Sequence, residues 1–268
     1  MKHSIFKYVM ISIFLIFAVF IIVVLISPAL YIKTSNLIDL LINNKEISFS
    51  LILSLTTSLS AVFFATIFGI PVAYVLSRYN FKFKNIIDII LDIPLVLPPI
   101  ILGLSLLVLL GPIGGSYLAK IGLNFVFTRL GIVMAQFVVA APLLIRSLKI
   151  AFSSIDPKLE KAAMTLGDNH FQVFKNITIP LSKDGIITGV TTAWARAMGE
   201  FGATVMLAGA TRFKTETLPI AVYLNMNTGN LEMAVTVSIV MIIFSILIMG
   251  ILKIYNNSNE SRGVTRWF

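Results

Sequence analysis

Residues 49–76 read FSLILSLTTSLSAVFFATIFGIPVAYVL, an apolar run without a single charged side chain. A helix crosses the hydrocarbon core of a bilayer with about 20 consecutive apolar residues, so this stretch is long enough to span and also to tilt or project beyond the bilayer. Outward from it the pattern repeats. One similar stretch precedes it, roughly Tyr8–Ile32, and four follow, roughly Ile86–Leu110, Gly131–Ile150, Gly185–Ala208 and Met233–Ile254. The whole chain agrees, with 57% hydrophobic and only 12% charged residues, where a soluble domain carries about 25% charged. Most of the surface therefore faces something apolar. The predicted fold class is an all-α integral membrane protein with about six transmembrane helices. They form a single transmembrane domain over residues 1–268, with no space for a second soluble domain.

Lys2 and Lys7 before the first stretch are also what a secretory signal would show. However, the apolar run is longer than the roughly 7–15 residues of a signal core, and Ser27-Pro28-Ala29 is a poor cleavage site. An uncleaved first helix is expected. The net charge of +9 records loop bias rather than nucleic-acid binding in such a chain. With the N-terminus in the cytoplasm, fourteen Lys and Arg fall inside, from Lys2 to Arg266. Six fall outside, including Lys33, Arg129, Arg212 and Lys214, and Arg196 lies within the fifth stretch. That asymmetry predicts both termini on the cytoplasmic side of the cell membrane. The absence of Cys excludes disulfides and Cys-based metal or redox chemistry.

The segment between the fourth and fifth stretches, about 153–183, is too polar to cross and too patterned to be a linker. Asp156-Pro157 is a helix start, with Asp as cap and Pro at the first helical position. Leu159, Ala162, Ala163 and Leu166 recur on one helical face, and Gly167 supplies a left-handed stop. Asn169 and Gln172 fit a capping box for a second short helix, with Phe171, Phe174 and Ile177 as its apolar residues and Pro180 ending it. Two short amphipathic helices joined by a Gly turn are thus predicted on the cytoplasmic face. An interfacial helix pair that only tidies the loop is consistent with composition alone.

The fifth stretch carries two charges in an otherwise apolar setting, Arg196 and Glu200. Each costs about 2.5–3.5 kcal/mol at a helix centre on insertion scales, so pairing is expected. Four residues apart, they share a helix face. Either they form a self-neutralising packing pair, or they line a pathway or its gate, where Arg lowers the barrier to an anion. Gly199 and Gly202 allow close helix approach. In the third stretch Pro94, Pro98 and Pro99 break the hydrogen-bond ladder, which is tolerated where backbone lines a cavity or is covered by neighbours.

Two motif sets extend these readings. Glu160-Lys161-Ala162-Ala163-Met164-Thr165-Leu166-Gly167, followed by Ile179-Pro180-Leu181, resembles the EAA loop of ABC importer permeases. The resemblance implies that this loop is the coupling helix seated in a groove of a separate ATPase subunit, with Glu160, Lys161, Ala162, Ala163, Gly167 and Pro180 as its residues. The family's Glu position falls on Lys161, so its carboxylate is carried by Glu160, about 100° around the helix.

The stretch from Ala195 through Thr204, then Ala208-Gly209 and Lys214–Pro219 to Tyr223, is similar to molybdate-type permeases, as is Pro94-Leu95-Val96-Leu97-Pro98-Pro99. That likeness implies a homodimer with two ATPase subunits on the cytoplasmic face and an extracytoplasmic oxyanion-binding protein. The substrate it implies is molybdate or tungstate, with sulfate or thiosulfate as the alternative. Arg196, Glu200, Thr204, Pro98 and Pro99 are then the pathway or gate candidates. No cofactor is expected on this chain, ATP and Mg belonging to the partner ATPase.

Other classes fit less well. The two histidines, His3 and His170, do not form the His-Glu-x-x-His of an intramembrane metalloprotease, and no Walker-type phosphate loop occurs. Asp88 and Asp92 are read as solvated end-of-helix charges. A proton-coupled secondary transporter using Glu200 is the alternative of another class.

Overall fold

The computed structural model is helical throughout and describes residues 2–31 and 44–264, with side chains at 6–31 and 44–250. Among the cations of the loop comparison, Lys33 and Arg266 lie outside the described residues, as do the side chains of Lys2, Lys253 and Arg262. The elements are α1 (Lys2–Tyr31), α2 (Lys45–Arg78), α3 (Lys84–Val96), α4 (Pro99–Val108), a π-helical turn (Leu109–Ile113), α5 (Gly115–Lys120) and α6 (Arg129–Ser153). Then come α7 (Pro157–Thr165), α8 (His170–Val173), a second π-helical turn (Phe174–Thr178), α9 (Ile179–Leu181), α10 (Lys183–Met198), α11 (Gly202–Ala208), α12 (Leu218–Asn227) and α13 (Leu231–Val264).

Among the described residues four single helices, α1, α2, α6 and α13, are long and apolar enough to cross a membrane. Their side chains explain their places. Helix α1 is exposed over its whole apolar length and packs against α13. Helices α2, α6 and α10 form the central bundle, where small residues let backbones approach closely. Ala65, Ala73, Ala140, Ala141, Ala193 and Ala197 are buried there, around Leu144, Leu148 and Phe152. At Gly185 an added Cβ would fall 2.4 Å from Ala151 Cβ, and at Gly189 3.0 Å from Ser147 Cβ. Only glycine fits at the first of these crossings.

The third and fifth stretches are not straight helices. Helices α3 and α4 meet at 111° across Leu97-Pro98 and together count as one broken span or a re-entrant loop, which brings the candidate spans among the described residues, by length and composition, to five. The cause is local. Leu97 precedes a proline and takes extended geometry (φ −68°, ψ 138°), Pro98 does the same (φ −54°, ψ 131°), and Pro99 opens α4. The fifth stretch is a 16-residue helix, α10, followed by the 7-residue α11, with the break at residues 199–201.

Asp88 is not simply solvated. Its Oδ1 accepts from Lys149 Nζ at 2.7 Å and ties α3 to α6.

Candidate functional site

The loop after α6 folds as its caps dictate. Asp156 Oδ1 accepts from Lys158 N at 2.9 Å, with Pro157 as the first residue of α7. Gly167 stops the helix at φ 105°. Asn169 and Gln172 form a reciprocal capping box, with bonds of 2.9 and 2.7 Å, at the start of α8. Pro180 differs from the sequence expectation. The helical path runs on through a π turn to Leu181 and breaks at Ser182. The wider turn admits a residue with no N–H, so the proline sits inside the path rather than ending it.

One side of α7 is fixed to the bundle. Glu160 is buried, and its carboxylate pairs with Arg78 Nε of α2 at 2.9 Å, both side chains being under 10% exposed. Thr178 Oγ1 donates to the same carboxylate at 2.7 Å, and Arg78 Nη2 donates to Ile155 O at 3.4 Å. Phe174 completes the anchor, its ring 4.9 Å from that of Tyr74 and 6.4 Å from that of Phe152. Lys161 is exposed, so the charge that departs from the family pattern does not touch this pair. Ala163 is buried beside Glu160.

The apolar stripe read from the sequence points mostly away from the bundle. Leu159 is 50%, Leu166 89% and Phe171 71% exposed, and Ala162 is exposed with them.

The break between α10 and α11 holds the other candidates. Arg196 Nη1 and Glu200 Oε2 pair at 2.7 Å, with Glu200 1% and Arg196 36% exposed. The second oxygen, Glu200 Oε1, accepts from Ala203 N at 2.9 Å. One carboxylate thus closes α10 through Arg196 and caps α11, placing negative charge at the end of α11 that favours it.

Helix α11 sits tightly on α4. A Cβ at Gly103 would lie 2.6 Å from Ala203 Cα, and one at Gly202 would lie 3.1 Å from Ile100 N and 3.4 Å from Pro99 Cβ. The Pro98-Pro99 elbow, Gly202 and the Glu200 cap therefore meet at one place. Thr204 is fully buried, and its hydroxyl meets no partner among the described residues. It faces packed interior in this conformation. Among the described residues no cluster of His, Cys, Asp and Glu is built to hold a metal.

Sequence reasoning did not find Arg78, which entered only among the cytoplasmic loop cations, or Thr178, which it did not mark. It also missed the bond from Ala203 N–H to Glu200, because Glu200 lies one residue ahead of the cap position, which Phe201 occupies, and so carries no capping signal.

Comparison with known proteins identifies the family. Residues 65–260 match the family of binding-protein-dependent transport system inner membrane components. The molybdenum transport system permease protein ModB of Haemophilus influenzae is 40% identical over 67% of this chain and 80% of its own length. The protein of the same name from Escherichia coli K12 is 39% identical over 74% and 90%. A bacterial alginate ABC transporter, solved with its pentasaccharide-bound periplasmic protein, superposes with a TM-score of 0.73 over 97% of this chain and 96% of its own, at 17% identity. With its pinned loop and its broken span in place, the chain belongs to the binding-protein-dependent transport system inner membrane components, the permease subunits of ABC importers.

Proposed function

We propose that this permease carries a tetrahedral oxyanion, molybdate or the nearly identical tungstate, through a pathway formed between two copies of the chain. The loop α7–α9 is the seat for the ATPase subunit. The observation that carries this reading is the division of α7 into two faces. Glu160 and Ala163 bind it to the bundle, and Leu159, Ala162 and Leu166 are left uncovered. A helix that only tidied a loop would turn its apolar stripe toward the bundle. This one is fixed by a buried ion pair in a direction that presents the stripe to something else. The ATPase lies on this face, in the cytoplasm with both termini, and the oxyanion-binding protein lies on the opposite one.

The break at residues 199–201 supplies the moving part. Helix α10 is packed on α6 and joined to the loop, whereas α11 is packed on α4 as well as on α6. Movement of the loop when the ATPase dimer closes turns α10 against α11, and the Arg196–Glu200 link is the contact that such a turn strains. Arg196, the partly exposed member of the pair, is the group placed to meet an anion when Glu200 is engaged by the α11 cap. Pro98 and Pro99 keep the elbow of α3 and α4 against the hinge. No hydrolytic or redox step falls to this chain.

The test is reconstitution in vesicles with an ATPase subunit and a binding protein. Uptake of molybdate that needs ATP, is competed by tungstate and is indifferent to sulfate is the expected result. Equal competition by sulfate moves the chain to the sulfate class. Proton-coupled flux by the chain alone overturns the reading in favour of a secondary transporter using Glu200.

A further inference from the structure

The end of the bundle opposite the loop holds a second group of charges that transport does not account for. Glu46, in the first turn of α2, takes Arg212 Nη1 on Oε2 at 2.8 Å and Asn225 Nδ2 on Oε1 at 2.5 Å. Arg212 spends its other arm on Asn225 Oδ1 at 3.2 Å. Nearby, Glu216 is fully buried. Its Oε2 accepts the N–H of Phe213 at 2.8 Å, which holds Phe213 at φ 55°, a conformation uncommon for a bulky residue. Its Oε1 is also buried, and among the described residues no donor reaches it. The acidic group that acts on Glu216 is the Glu46 carboxyl, itself held by Arg212 from the same segment as Glu216.

Ionised carboxylates only accept. Two of them side by side, one without solvent and with a single guanidinium already divided between Glu46 and Asn225, repel unless a proton sits between them. We propose that Glu216 keeps a proton and donates it from Oε1 to the Glu46 carboxylate, a carboxylic acid–carboxylate bond that latches residues 209–217 over this end of the bundle. Burial, more than any other cause, pushes the Glu216 carboxyl above its ordinary value. The charge and hydrogen bond of Glu46 push the same way, while the Phe213 N–H and Arg212 pull it part of the way back.

The groups that act on Glu216 are thus Glu46 from α2 and Arg212 and Phe213 from its own loop, with Lys45 and Lys214 exposed alongside. The rest of the segment is already tied down. Thr215 Oγ1 accepts from Thr211 N at 3.1 Å and donates to Gly209 O at 3.2 Å, and Leu218 N donates to Ser54 Oγ at 2.8 Å. The acid pair is the titratable fastening among these bonds.

The sign of the pH effect follows. Between the pH at which an exposed glutamic acid ionises and the higher pH at which Glu216 does, the folded chain holds an extra proton, so rising pH weakens the latch. The inference rests on this chain's own residues and holds whichever anion is carried.

The chain contains no Cys, so a spin label on Lys214→Cys reports the segment alone. In the purified protein the label gains mobility as pH rises, and the carbonyl infrared band of a protonated carboxyl is lost over the same range. In Glu216→Gln, whose amide still donates to Glu46, mobility is flat with pH and the band is absent throughout. A label indifferent to pH in the unmodified background overturns the proposal. So does a pH response or an infrared band that persists unchanged in Glu216→Gln.

Discussion

Two of the three glutamates buried among the described residues, Glu160 and Glu200, hold the loop and the α10–α11 break, and they do different work. Glu160 binds residues far apart in the chain. Arg78 is 82 positions away on α2 and Thr178 is 18 positions away beyond the Gly turn, and all three side chains are buried or nearly so. Glu200 binds neighbours, with Arg196 four residues before it and the Ala203 N–H three after. The first fixes where a helix pair sits on the bundle. The second fixes where one helix stops and the next begins. A long-range buried pair holds tertiary position and fails as a unit, whereas a local pair at a helix break can rearrange by a small turn. On the proposed function, the loop transmits movement and the break between α10 and α11 yields to it.

Glu160→Ala is the most severe way to break this contrast. It leaves Arg78 buried without its counter-charge, a loss of about 3–5 kcal/mol when one partner of such a pair is removed. The expected outcome is a chain that inserts in the membrane but no longer copurifies with an ATPase. Replacing both partners by apolar residues, Glu160→Leu with Arg78→Met, should recover most of the thermal stability, because no uncompensated charge remains.

The Arg196 and Glu200 pair calls for a double-mutant cycle. Arg196→Ala leaves Glu200 uncompensated at 1% exposure. Glu200→Ala removes both the pair and the α11 cap, the cap alone accounting for about 0.5–2 kcal/mol. Each single replacement is expected to impair transport more than the double one does, with a coupling of about 0.5–3 kcal/mol between contacting residues in the thermal measurement. Additive losses would mean that the two act separately.

Gly167→Val comes next. Nothing lies within 4 Å of an added Cβ, so the penalty is the left-handed backbone itself, of about 1–2 kcal/mol for an L residue. Membrane insertion is retained and transport lost as α7 and α8 are misaimed, while Gly167→Asn, which tolerates that conformation better, keeps substantial uptake. Normal uptake in Gly167→Val would separate the turn from coupling.

Much of this was legible because it is local. Caps, the Gly stop, the Asn169–Gln172 box and the i, i+4 pairing of Arg196 with Glu200 each lie within a few residues. The six apolar stretches are likewise a matter of composition over short windows. The rest depends on three-dimensional placement. Periodicity marked the Leu159–Leu166 stripe but not which side of α7 would meet the bundle, since that is decided by Arg78 on another helix. Three prolines marked a break in the third stretch, yet the same residues serve a mild kink or the 111° turn observed between α3 and α4. The closeness of α4 to α11, where Gly103 lies against the Ala203 backbone, has no signal in either segment alone.

The most direct measurement is site-directed cross-linking in the assembled transporter, made simple by the lack of native Cys. Single cysteines at Leu159, Leu166 and Phe171 should each cross-link to the ATPase subunit, and one at buried Ala163 should not. A pattern in which Leu166 gives no cross-link while the transporter stays assembled and active would show that the ATPase sits elsewhere, and that the exposed stripe of α7 is not its seat.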